Sequence, residues 1–125
     1  MDMPVAVGEG AYTKAQIAEL VNHEAGDIYN LDSERLGGVT GWLQAASFLE
    51  ARNQPFTAHL FPEVQCHLIA STEKGLTVEH MPWSFGLFKE PPRIVDGFIE
   101  LPTAPGIGDS TNWLRSGAAL CGIWA

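Results

Sequence analysis

The sequence predicts an alternating α/β fold with a parallel sheet and its helices outside. Three observations carry this expectation. Four short apolar, β-prone runs each close on a titratable residue, at Glu9, Asp32, His59 and Glu79. A segment with helical spacing or helix-boundary signals stands between each successive pair of runs. The closing residues lie 23, 27 and 20 positions apart, which leaves room for the crossover of about a dozen residues that a parallel βαβ unit needs.

The first run is Pro4-Val5-Ala6-Val7-Gly8-Glu9, in which Val5 and Val7 suit a buried strand. Thr13 and Gln16 form a capping-box pattern. Ile17, Leu20 and Val21 then recur at helical spacing, and Gly26 is placed to stop the helix. The second run is Asp27-Ile28-Tyr29-Asn30-Leu31-Asp32. Gly37-Gly38 follows, with Thr40 as a candidate cap for an apolar helix from Trp42 to Ala51 that Asn53 and Pro55 bring to an end. The third run begins at Phe56, closes on His59 and meets Pro62, a residue suited to the first helical position. Its helix carries Val64, Leu68 and Ile69 and is expected to end near Lys74-Gly75. The fourth run is Leu76-Thr77-Val78-Glu79. After it the regularity gives way to a stretch rich in proline and glycine, where Phe98-Ile99-Glu100-Leu101 suits a short extra strand.

Composition bounds the function. The chain has 125 residues, is 46% hydrophobic and carries a net charge of −8 with only seven Lys and Arg. That length supports one domain with a core. The charge balance argues against nucleic acid or an anionic membrane as partner, since both need clustered cations. No apolar run approaches the roughly 20 residues of a membrane span, and the N-terminus lacks a signal-peptide pattern. Cys66 and Cys121 form no close motif and read as reduced thiols. A soluble, cytoplasmic protein is the expectation.

In parallel α/β folds the site lies at the C-terminal ends of the strands. Neighbouring strands run about 5 Å apart, so Asp32 at one tip can hydrogen-bond His59 at the next. That contact would fix the imidazole tautomer, as in Asp–His general-base pairs. Glu9 and Glu79 are strand-end carboxylates, and one carboxylate alone makes a poor Mg²⁺ site. Glu63 fits a first helical turn, where an acid favours the helix dipole. His67 reads as packed, and His80 as pointing away from Glu79. Gly37-Gly38 lacks the fuller glycine pattern of a phosphate loop.

These residues bring a family into view. Gly8-Glu9, the segment from Asp32 through Arg35-Leu36-Gly37-Gly38-Val39-Thr40-Gly41-Trp42, the turn His59-Leu60-Phe61-Pro62-Glu63, and Glu79 resemble the mandelate racemase and muconate lactonizing branch of the enolase superfamily. The resemblance runs from about Val5 to Gly108. It implies a partial TIM-type barrel, strands five to eight with their helices, over residues 1–108, and an atypical tail over 109–125. It implies Glu9 as one of three carboxylate ligands to Mg²⁺. Asp32 and His59 would be the base dyad, and Glu79 a donor to the substrate carboxylate. The implied reaction removes a proton α to a carboxylate. An acid-sugar dehydratase acting on a sugar acid is the expectation adopted, with a racemase or epimerase of 2-hydroxy acids as the alternative.

The resemblance also implies what this stretch does not carry: a capping domain, four barrel strands, two further metal carboxylates and a lysine-bearing strand. The isolated chain is therefore expected to be a fragment without activity, or a non-catalytic half-barrel that folds by self-association through its open sheet edges. A homo-oligomer is expected. Trp83, Phe85 and Phe88 read as packing residues. A small flavodoxin-like domain suits the length but leaves the four strand-end residues unexplained.

Overall fold

The computed structural model describes residues 3–108, and its elements alternate in the order read from the sequence. They are β1 (Ala6–Val7), α1 (Lys14–Asn22), β2 (Ile28–Leu31), α2 (Val39–Ala51), β3 (Phe56–Ala58), α3 (Pro62–Ala70) and β4 (Gly75–Val78). A 3-10 turn (Pro82–Leu87) and a hairpin of β5 (Ile94–Val95) and β6 (Phe98–Ile99) follow. The chain divides after His80 into two compact units. The tail from Asp109, with Cys121, lies outside the described residues.

The first unit is one parallel sheet in the order β1-β2-β3-β4. Tyr29, Leu31 and Phe56 supply the sheet's share of the core, and Ile17, Val21, Trp42, Leu49 and Leu68 supply the helices' share. Trp42 meets Phe56 edge to face, with ring centroids 5.7 Å apart. Burial alternates along β2, with Tyr29 and Leu31 buried and Ile28 and Asn30 half-buried. A strand covered on both faces shows no such alternation. Val5, expected to be buried, is 41% exposed and Val7 is half-buried. They lie at or beside an edge strand, where burial is least.

Helix boundaries differ from expectation in three places, each for a local reason. Helix α1 stops at Asn22, four residues before Gly26. Glu24 takes the left-handed position at φ +50°, while Ala25 N donates to Leu20 O and Glu24 N to Val21 O. That is a Schellman closure made without glycine. Helix α2 closes in the same way, with Asn53 at φ +55° and Gln54 N donating to Leu49 O. Gly26 meets a packing need instead. A Cβ there would stand 2.7 Å from Val7 Cγ2.

Helix α2 starts one residue before Thr40, with Gly38 as its N-cap. The early start needs Gly41, because a Cβ at that position would lie 1.8 Å from the Leu36 carbonyl oxygen. Helix α3 begins at Pro62 but ends at Ala70, short of Lys74. The hydroxyls of Ser71 and Thr72 donate to the carbonyls of Leu68 and Ile69, each at 2.7 Å, and divert the last turn. At α1 the capping pattern holds in a shifted form. Thr13 Oγ1 accepts from Gln16 N at 3.2 Å, while Gln16 Oε1 reaches back to Tyr12 N at 2.7 Å.

The second unit holds the expected strand at Phe98–Ile99, paired antiparallel to Ile94–Val95. Asp96-Gly97 makes the turn with both residues at positive φ, as a two-residue hairpin requires. Arg93 and Glu100 pair across it at 3.1 Å. Trp83 is largely exposed rather than packed. Among the described residues no helix is long and apolar enough to cross a membrane.

Candidate active site

The sheet register carries on past the strand ends and sets the site. His59 N donates to Leu31 O at 2.9 Å, and Glu79 N to Ala58 O at 3.1 Å. Asp32, His59 and Glu79 therefore stand in step on adjacent tips. Glu9 occupies the corresponding place two residues beyond β1.

Asp32 is buried, at 2% exposure. Its Oδ1 accepts from the backbone N–H groups of Glu34 at 2.8 Å and Arg35 at 3.0 Å. Its Oδ2 lies 2.8 Å from His59 Nδ1. An ionised carboxylate only accepts hydrogen bonds, so the imidazole proton belongs on Nδ1. Nε2 is then the basic nitrogen of the neutral ring. It stands 3.5 Å from Glu9 Oε2 and 3.9 Å from Glu79 Oε2. The His59 side chain is 12% exposed, against 64% for Glu9 and 42% for Glu79. The wetter carboxylates thus flank the reactive edge of a sheltered ring.

Two further residues shape the rim. Arg35 Nη1 donates to the Glu9 carbonyl oxygen at 2.6 Å and lies 3.9 Å from Asp32 Oδ2. Its guanidinium links the first strand tip to the second and puts positive charge beside the carboxylate that faces His59. Gln65, fully buried on α3, donates its Nε2–H to the His59 carbonyl oxygen. In the sequence Arg35 stands out only as part of a motif, and Gln65 is not among the candidate residues. A signal for Gln65 existed, because Leu68 and Ile69 follow it at i+3 and i+4. A polar residue on that apolar face needs a partner.

The turn after His59 is unusual. Leu60 and Phe61 both adopt positive φ, +59° and +42°, a region costly for bulky side chains. Glu79 Oε2 accepts the Leu60 N–H at 3.1 Å. Glu63 stands in the first turn of α3, as expected, but is buried, and its Oε2 has no hydrogen-bond partner among the described residues. Desolvation first, then the charges of Asp32 and Glu63, holds the Glu34 carboxyl above the usual range. His67 is half-buried and His80 exposed.

Among the described residues no group of three or more His, Cys, Asp or Glu is arranged to hold a metal. Glu9 offers one exposed carboxylate to a hard cation. What the rim can do with its own side chains is move a proton at His59 Nε2 while Asp32 balances the charge.

Comparison with known proteins gives the chain a family. Residues 1–113 match the profile of a family described as enolase C-terminal domain-like. The chain belongs to that family. Its place in the mandelate racemase and muconate lactonizing branch fits its structural likenesses. A mandelate racemase/muconate lactonizing enzyme from Polaromonas sp. JS666 superposes with a TM-score of 0.84 at 33% identity, over 93% of this chain and 32% of that one. The L-talarate dehydratase of the same strain, solved with Mg and L-glucarate, gives 0.84 and 33%, over 93% of this chain and 33% of its own. The L-talarate/galactarate dehydratase of Salmonella typhimurium is 27% identical over 108 residues, 86% of this chain. This member of the enolase C-terminal family spans 27% of that relative's length.

Proposed function

We propose that this chain carries strands five to eight of a Mg²⁺-dependent enolase-superfamily barrel within residues 1–108. On this reading it supplies the proton-transfer half of an acid-sugar dehydratase. The observation that carries the reading is the 2.8 Å contact between His59 Nδ1 and Asp32 Oδ2 on neighbouring tips of a parallel sheet. His59 Nε2 takes the proton α to the substrate carboxylate, and Asp32 stabilises the imidazolium. Glu79, when protonated, donates a hydrogen bond to the carboxylate as negative charge develops there. His59 then returns its proton to the departing β-hydroxyl. Glu9 would be one ligand for Mg²⁺, and the ion when bound would supply positive charge as the α-proton leaves. The dehydratase relatives, one of them solved with Mg and L-glucarate, support a sugar-acid substrate.

A chimera tests this. Residues 1–108 replace the matching third of the Polaromonas L-talarate dehydratase, and loss of L-talarate is followed with Mg²⁺ in D₂O. The chimera is expected to consume substrate, and His59→Asn to slow it about 10²–10⁴-fold, the range for losing a general base. A His59→Asn chimera that turns over normally overturns the reading. Exchange of the α-proton with the hydroxyl retained assigns the racemase alternative.

A further inference from the structure

Gln65 is fully buried, and its Oε1 has no hydrogen-bond partner among the described residues. A buried amide with one end unsatisfied is worse for stability than an aliphatic side chain of similar size. What Gln65 contributes must therefore come from its other end, whose Nε2–H meets the His59 carbonyl oxygen. The orientation is not arbitrary, because a flipped amide would set two acceptors against each other. The described loop and turn bonds bring no backbone N–H to that carbonyl.

The carbonyl sits where the chain leaves the sheet. The next two residues, Leu60 and Phe61, hold left-handed dihedrals that their side chains disfavour. The turn is tied at its far side by Gln65 N and Val64 N, which donate to Phe61 O at 2.9 and 3.1 Å. It is tied in the middle by Leu60 N to Glu79 Oε2. At the His59 carbonyl the tie is the Gln65 side chain. The peptide between His59 and Leu60 is thus held at both ends, its carbonyl by Gln65 and its N–H by Glu79.

We propose that Gln65 is a positioning residue for His59: its buried amide pins the strained turn so that Nδ1 meets Asp32. This rests on the reading of His59 as the base. Gln65 touches no reacting atom and is not itself catalytic.

The test uses the full chain with Gln65→Met, which keeps length and removes the donor. Amide exchange at His59 and Leu60 is expected to rise about tenfold, while the amides of Tyr29, Trp42 and Leu49 stay within about twofold. The downfield proton signal between His59 Nδ1 and Asp32 is expected to weaken. Unchanged exchange at His59 and Leu60, or a uniform rise across the core, overturns the proposal. If Gln65→Met does not fold, the unaltered chain decides. The Gln65 side-chain NH₂ is expected to exchange at least about tenfold more slowly than that of exposed Gln44, and equal rates overturn the proposal. Neither measurement involves substrate, so failure here leaves the His59→Asn result intact, and the reverse holds.

Discussion

Asp32 acts through both of its oxygens. One is spent on the turn that leads away from its own strand, and the other faces the neighbouring strand's histidine. The local turn therefore aims the carboxylate before any tertiary contact is counted. Cys66 shows burial working on a residue of a different kind. It is buried on α3, with Sγ 3.9 Å from the Glu63 carbonyl oxygen. Burial pushes its thiol up, backbone hydrogen bonds partly oppose this, and the charge of Glu63 adds to the rise. The folded state then keeps a proton that the unfolded chain releases above its ordinary value of about 8.5. Stability must fall as pH rises through that value, since the folded state binds the extra proton. The urea midpoint is expected to be lower at pH 9.5 than at pH 7.5, with Cys66→Ala reducing the difference. Tyr29, raised first by burial and then by Asp27 and Glu24, adds to the trend above about pH 10.

At the scale of elements, the loop from Asp32 to α2 depends on close backbone approach. Gly41 lies in the first turn of α2 with the Leu36 carbonyl where a Cβ would stand. Gly41→Ala forces the helix off that loop, and the expected cost is about 3 kcal/mol, at the upper end for overpacking. Urea denaturation measures it, and a cost under about 0.5 kcal/mol would show that the loop yields freely. The glycines also show where reading by sequence reaches its end. Gly26 and Gly41 look alike as letters. One stands where a helix stop is expected and the other within a motif, yet both are needed because another part of the chain comes close. Helix starts at Thr13 and Pro62 were legible because their signals act within one turn. The ends of α1 and α3 were not, because Glu24, Ser71 and Thr72 do work usually given to glycine.

At the scale of the molecule, the four-stranded sheet has β1 and β4 at its edges, and neither has a further strand partner among the described residues. Val5 and Leu76, beside and within those edges, are 41% and 54% exposed. Unpaired parallel edges with apolar side chains favour pairing with another chain. We propose that the isolated chain self-associates, two copies joining β4 of one to β1 of the other by a two-fold axis. Sedimentation velocity is expected to show a dimer or larger species. A folded monomer across micromolar concentrations would remove the proposal.

Much of this architecture was determined by the sequence alone. The alternation of elements and the four strand-end positions follow from period and turn chemistry, which act over a few residues. The closeness of Asp32 and His59 followed from strand spacing once the sheet was taken as parallel. Only the tertiary structure decided that Arg35 links two strand tips, that Gln65 reaches the His59 carbonyl, and that Glu63 is buried with one oxygen unpartnered among the described residues. Those facts depend on side-chain direction across elements far apart in the chain, and no local period encodes that direction.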